Sequence, residues 1–143
     1  MARVDFYHGA DNKLSVAARL AQKAILSGAR MGIYAPEAEL AQKIDRTLWT
    51  FTPLSFVAHA HESNPIAGES PIVILQKISS NATFGLKILI NMDVSVPDGS
   101  AEFDRLIEIV GQEEEDIAAA RLRYKAYRDL GYELFSHRLG QDE

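Results

Sequence analysis

The sequence predicts an α/β fold: a single domain of three layers, α/β/α, on a mostly parallel sheet. Three observations predict it. Short apolar runs alternate with segments of helical period over residues 4–49. Two later runs, Ile72-Val73-Ile74-Leu75 and Leu86-Lys87-Ile88-Leu89-Ile90, are short and β-branched, like strands buried on both faces. Finally, 143 residues at 47% hydrophobic and 24% charged suit one core. A chain of this size buries about 70% of its unfolded surface. We therefore expect residues 1–143 to form one domain.

Val4-Asp5-Phe6-Tyr7 reads as the first strand. Asp11 and Asn12 then offer a side-chain oxygen to the first free amides of a helix. Leu14, Ala17, Ala18, Ala21, Ala24 and Ile25 carry that helix, and Gly28 suits the left-handed residue after its end. Met31–Ala35 is the next strand. Pro36, Glu37 and Glu39 mark the start of a second helix, with Leu40, Ile44 and Leu48 on one face. Residues 50–70 read as a connection, with Pro53 and Pro65 and a short strand at Leu54–Ala58. Pro97-Asp98-Gly99-Ser100 is a turn. Leu106–Val110 fits a strand through Ile107 and Ile109, or a helical turn through Phe103 and Leu106. Gln112–Leu130 is helical, and Tyr132-Glu133-Leu134-Phe135 can add a last strand.

Composition removes several chemistries. There is no cysteine, which excludes disulfides, thiolate zinc sites and cysteine nucleophiles and fits a reducing compartment. The start, Met1 to Tyr7, has no apolar signal-peptide core, and no run is long enough to span a bilayer, so a cytoplasmic protein is expected. The nine glycines never fall in G-x-G-x-x-G spacing, and none precedes a Lys-Ser or Lys-Thr pair. No G-x-S-x-G elbow is present. His59-Ala60-His61 would put two imidazoles on one side of a strand, but no carboxylate motif frames them, and packing or surface histidines are the reading. No catalytic, cofactor-binding or metal-binding residue is assigned.

Two constellations remain. Gln112–Leu130 opens with Glu113-Glu114-Glu115-Asp116 and ends basic. At about 100° per residue, Arg121, Lys125 and Arg128 share a stripe about 60° wide, while Arg123 points elsewhere. Ile117 and Tyr124 border the stripe on one side and Leu122 on the other. A basic ridge with apolar flanks suits a short peptide bearing carboxylates and a hydrophobic end. Equally, acids early and bases late complement the helix dipole, and Asp116 and Glu114 could pair with Arg121 and Lys125. The second constellation is Leu48-Trp49-Thr50-Phe51-Thr52-Pro53-Leu54-Ser55-Phe56-Val57, with the only tryptophan. Aromatic residues in a connection are core plugs or partner anchors, and Phe56 is the better anchor.

Leu48-Trp49-x-Phe51 followed by Ser55-Phe56-Val57-x-His59 resembles the central signature of the chi subunit of bacterial DNA polymerase III. Arg123-Tyr124-Lys125-Ala126-Tyr127-Arg128-x-x-Gly131-Tyr132 is similar to that family's C-terminal signature, and Val4-Asp5-Phe6-Tyr7 to its start. The resemblance runs along the whole chain. It implies a fold similar to a mononucleotide-binding (Rossmann-like) domain without a phosphate loop. It also implies a non-enzymatic replisome adaptor with two partners. One is the psi subunit, which leads to the clamp loader. The other is the acidic C-terminal tail of single-stranded DNA-binding protein, which ends in aliphatic residues, proline and phenylalanine. DNA would be met only indirectly, and no membrane or cofactor is implied. By the same resemblance, Arg121, Lys125 and Arg128 would meet the tail's carboxylates over an apolar floor including Val110. Trp49, Phe51 and Phe56 would face psi. The sequence departs from the family where Ile117 replaces a further basic tail position and Ala58 replaces a proline. The rival classes are a nucleotide-dependent or hydrolytic enzyme, and a direct single-stranded DNA binder acting through Arg121, Lys125 and Arg128.

Overall fold

The structure is a computed structural model and describes residues 3–50, 59–63, 70–78 and 85–139. In chain order its elements are β1 (Arg3–Ala10), α1 (Lys13–Leu26), β2 (Met31–Tyr34), α2 (Ala38–Thr50) and β3 (His59–His61). There follow β4 (Ile72–Leu75), β5 (Ile88–Asn91), a 3-10 turn (Ser100–Glu102), β6 (Arg105–Gly111), α3 (Glu114–Asp129) and β7 (Glu133–Arg138). Among the described residues the strands form one sheet in the order β3-β4-β2-β5-β6-β1-β7, and every pairing is parallel.

The sheet is buried on both faces, which is why its strands read as apolar runs. On one face α1 and α2 pack Val16, Ala21, Ile44 and Leu48 against Ile33, Ile74, Ile90 and Ile107. On the other, α3 packs Ala120 and Tyr127 against Val4, Phe6, Leu89 and Leu106. Alternation along β6 therefore settles Leu106–Val110 as strand: Ile107 and Ile109 face α1 and α2, whereas Leu106 and Val110 face α3. The three expected layers are present.

Local signals hold where predicted. The Asn12 side chain accepts from the Ser15 amide and caps α1. Gly28 follows α1 at φ +81°. Gly99 needs glycine twice over: φ is +92°, and a Cβ would lie 2.6 Å from Ile78 Cγ2. The expected strand at Leu54–Ala58 lies outside the described residues, and the strand that is seen begins after it, at His59.

One polar cluster interrupts the α1 side of the sheet. Asp5 has no exposed side-chain surface and takes Arg3, Arg105 and His137 at 2.7 Å each. The parallel register puts these residues on one face of neighbouring strands. Arg105 also donates to the Tyr7 hydroxyl, Tyr7 stacks on His137, and Arg3 lies over the Phe135 ring.

Candidate functional site

The groove sits at the carboxyl ends of β1, β6 and β7, beside the first half of α3. That is where ligands enter parallel α/β sheets. Its volume is about 510 Å³. Val110 and Phe6 come from the sheet, and Ile117, Ala120 and Tyr124 from α3. The Tyr124 ring leans on Phe6 at 5.3 Å and stays partly exposed. Three basic side chains complete the lining: Arg121 from α3, His8 from β1 and Arg138 from β7.

The sequence-predicted residues thus separate. Val110 and Arg121 come together in the groove, with Ile117 and Tyr124. Lys125 and Arg128 lie exposed further along α3 and do not line it. His8 and Arg138 were missed. Their approach depends on the parallel pairing of His8 with Arg138, a contact between the two ends of the chain with no local signature.

Two devices hold α3 in place. Asp116 accepts from the Gly111 amide at 2.6 Å and pairs with Lys13 at 3.0 Å. Burial pushes its carboxyl up, but the Gly111 amide and Lys13 outweigh this and hold it below the usual range. This corrects the expectation that Asp116 pairs with Arg121 or Lys125. The second device is buried. Arg123, which the helical wheel turned away from the basic stripe, points inward and meets Glu108 of β6 at 2.9 Å. Tyr127 and Asn91 both donate to Glu108 Oε2, at 2.6 and 2.8 Å. Arg123 also donates to the Val94 carbonyl. One carboxylate thus ties α3 to β5 and β6 and fixes the groove's wall.

The aromatic constellation lies at the other end of the sheet. Trp49 is 56% exposed at the end of α2 and borders a cleft of about 560 Å³ with Asp45, Arg46, His61 and Gln76. Phe51 and Phe56 lie outside the described residues. Leu48 is buried, as its helical spacing predicts. His59 and His61 share one side of β3, facing α2. His59 pairs with Asp45 at 2.7 Å and meets the Trp49 ring edge-on. His61 Nδ1 accepts from the Ser63 amide, so its Nε2 donates to Gln76 Oε1. Both rings therefore have packing partners. Among the described residues no group of three or more His, Asp or Glu is placed to hold a metal ion, and no helix is long and apolar enough to cross a membrane.

Comparison with known proteins follows the same lines. A family model described as "DNA polymerase III chi subunit, HolC" matches residues 1–135. The DNA polymerase III subunit chi of Pseudomonas aeruginosa is 33% identical over 144 residues, covering 97% of this chain and 98% of the relative. That of Escherichia coli K12 is 34% identical over 110 residues, covering 76% and 73%. That of Haemophilus influenzae is 30% identical over 125 residues, covering 87% and 86%. Among solved structures, the C-terminal domain of Saccharomyces cerevisiae Dbp5, in its complex with Gle1 and IP6, superposes with a TM-score of 0.56 at 11% identity, covering 98% of this chain and 92% of that one. That likeness concerns the fold alone. Sequence signatures, fold and relatives agree, and the chain belongs to the chi subunit family of DNA polymerase III, an accessory component of the replication machinery.

Proposed function

We propose that this chain is a non-enzymatic, cytoplasmic adaptor that links a psi-type subunit of the clamp loader to the acidic C-terminal tail of single-stranded DNA-binding protein. The groove beside α3 carries the reading. It combines an apolar floor, Val110, Ile117 and Tyr124, with cations on opposite walls, Arg121 and Arg138. A terminal phenylalanine needs the first, and its carboxylate and the preceding aspartates need the second. Arg138 restores a positive charge where Ile117 removes one from the helix. Lys125 and Arg128, exposed along the same helix, meet the acidic residues before the tail's end. Trp49, exposed at the far end of the sheet, takes psi, and Phe51 and Phe56 share in that contact.

Titration of a tail peptide tests this. Binding at low salt that disappears when the terminal phenylalanine is removed is the expected result; binding indifferent to that residue sinks the proposal. Arg121→Ala is expected to weaken the peptide by about 1–3 kcal/mol, as loss of a charge-assisted hydrogen bond does. Lys125→Ala should cost less, since that side chain stands outside the groove.

A further inference from the structure

The basic stripe of α3 has an apolar flank on each side, and the tail groove uses only one of them. Ile117 and Tyr124 line that groove. On the other flank Leu122 is 72% exposed, and Val94 beside it is 67% exposed. With Val96, Ala119 and Ala126 they border a second groove of about 410 Å³, between α3 and the loop that follows β5. Hydrogen bonds hold its two walls together. Arg123 donates from α3 to the Val94 carbonyl at 3.0 Å, and Asn91 donates to the Ser95 carbonyl at 3.0 Å. Both side chains also meet Glu108, so the buried cluster that positions α3 positions this groove as well. Apolar surface on a wall fixed in advance binds without a further cost of ordering.

The length of this strip decides what fits it. Ala119, Leu122 and Ala126 are spaced as one seam of a helix face, about two turns long. Seven residues to either side of Leu122, the same flank carries Glu115 and Asp129, both exposed. A partner helix running along α3 would meet a carboxylate at each end of a seam with one large residue. A second copy laid antiparallel about Leu122 would set Glu115 against Asp129. A chain that crosses α3 avoids both, since each acid stands about 10 Å from Leu122 along the axis. On that crossing lie Arg121, Lys125 and Arg128, whose side chains form no ion pair among the described residues.

The crest of the helix thus suits negative charge, and each flank suits an apolar side chain. From Ile117 to Leu122 over the crest is about 140° of a helix about 12 Å wide, hence about 15 Å, or about five extended residues. We propose that the groove at Leu122 takes an apolar side chain of the acidic tail itself, about six residues ahead of the terminal one, with the intervening carboxylates on the crest. The inference rests on the tail reading and extends it. Two apolar side chains, one in each groove, then fix the register of the tail, and Arg121, Lys125 and Arg128 hold the acidic stretch between them.

Two synthetic nine-residue peptides test this, both acidic and both ending in phenylalanine, one with leucine and one with serine six residues before the end. Calorimetric titration onto the full chain at low salt should show the leucine peptide binding at least about fivefold tighter, the gain from burying part of one leucine side chain. Leu122→Gln should bring the leucine peptide down to the level of the serine peptide, and Val94→Ser should do so in part. Each replaces an exposed side chain, and urea unfolding checks that the fold is kept. Arg121→Ala should weaken both peptides by the same factor. The methyl resonances of Leu122 and Val94 should shift with the leucine peptide and stay in place with the serine peptide. Equal affinity of the two peptides overturns the inference, as does Leu122→Gln weakening both alike. A concentration-dependent dimer that Leu122→Gln dissociates also overturns it and gives the groove to a second copy. The tail reading fails by a different result, a serine peptide that does not bind or whose binding ignores its terminal phenylalanine, and the inference falls with it.

Discussion

Asp5 and Glu108 stand on neighbouring strands, on opposite faces of one sheet, each with no exposed side-chain surface. Each is held by a cation and touched by a tyrosine-bearing cluster, yet they titrate in opposite directions. At Asp5, burial pushes the carboxyl up, but hydrogen bonds from Arg3, Arg105 and His137 overcome it and bring the pKa to about 2. At Glu108 burial also leads, and there it wins over Arg123, Tyr127 and Asn91, so the carboxyl lies above its usual value. The surroundings of the partners make the difference. Arg3 and Arg105 keep 45% and 33% of their side chains in water, whereas Arg123 keeps 3%. A cation that stays hydrated costs little to hold beside a carboxylate; a cation buried with it adds its own desolvation. Asp5 therefore stabilises the fold as an ion, while Glu108 is a specificity device that sets where α3 lies.

Removing one partner separates the two most sharply. Arg123→Met should cost about 3–5 kcal/mol in urea unfolding, because Glu108 is left buried without its countercharge. Adding Glu108→Gln should recover most of that loss, since the amide oxygen still accepts from Tyr127 or Asn91 and no charge is stranded. A double variant as unstable as the single one breaks the comparison. The tyrosines come next. Tyr127→Phe removes a donor to a buried carboxylate and should cost about 1.5–3 kcal/mol. Tyr7→Phe removes only the hydroxyl that receives Arg105 and should cost under about 1 kcal/mol.

Asp5 supplies the pH arm. Its native pKa lies below the unfolded value of 3.8. Its contribution is thus complete above the unfolded value and fades as pH falls from there through about 2. Discounted for the water around Arg3 and Arg105, the effect is about 1–2 kcal/mol. Asp5→Asn should lower stability at pH 7 by that amount and flatten the stability profile across the same window. Glu108 has the opposite sign: its raised native pKa lets the folded state take a proton first, so acid relieves its cost. An Asp5→Asn profile as steep as wild type would move the acid sensitivity elsewhere.

Much of this architecture was legible in local sequence. Alternation and helical spacing placed the helices and strands because both follow from residues three or four apart. The helical wheel separated Arg123 from Arg121, Lys125 and Arg128 correctly, and it could not say that Arg123 meets Glu108, since that contact joins two elements. For the same reason nothing local to β6 marks Glu108 as a buried carboxylate. Arg121 was legible in the helical stripe, whereas Val110 entered only through what the family resemblance implies. Arg138 had no such signal, because it reaches the groove only through the pairing of β7 with β1.

That pairing also bears on how the chain reaches its fold. Val4 has Leu106 on one side and Leu134 on the other. β1 is therefore made before both of its neighbours and waits, unpaired, until β6 and β7 have followed it. Meanwhile β2, β4 and β5 can assemble from nearer segments, and β1 closes the sheet by inserting between β6 and β7. Loop closure over such distances is slow, and an apolar strand left open meanwhile is an aggregation hazard. Arg3 and Asp5, set into that strand, give it charge during the wait as well as an ion cluster at the end of it.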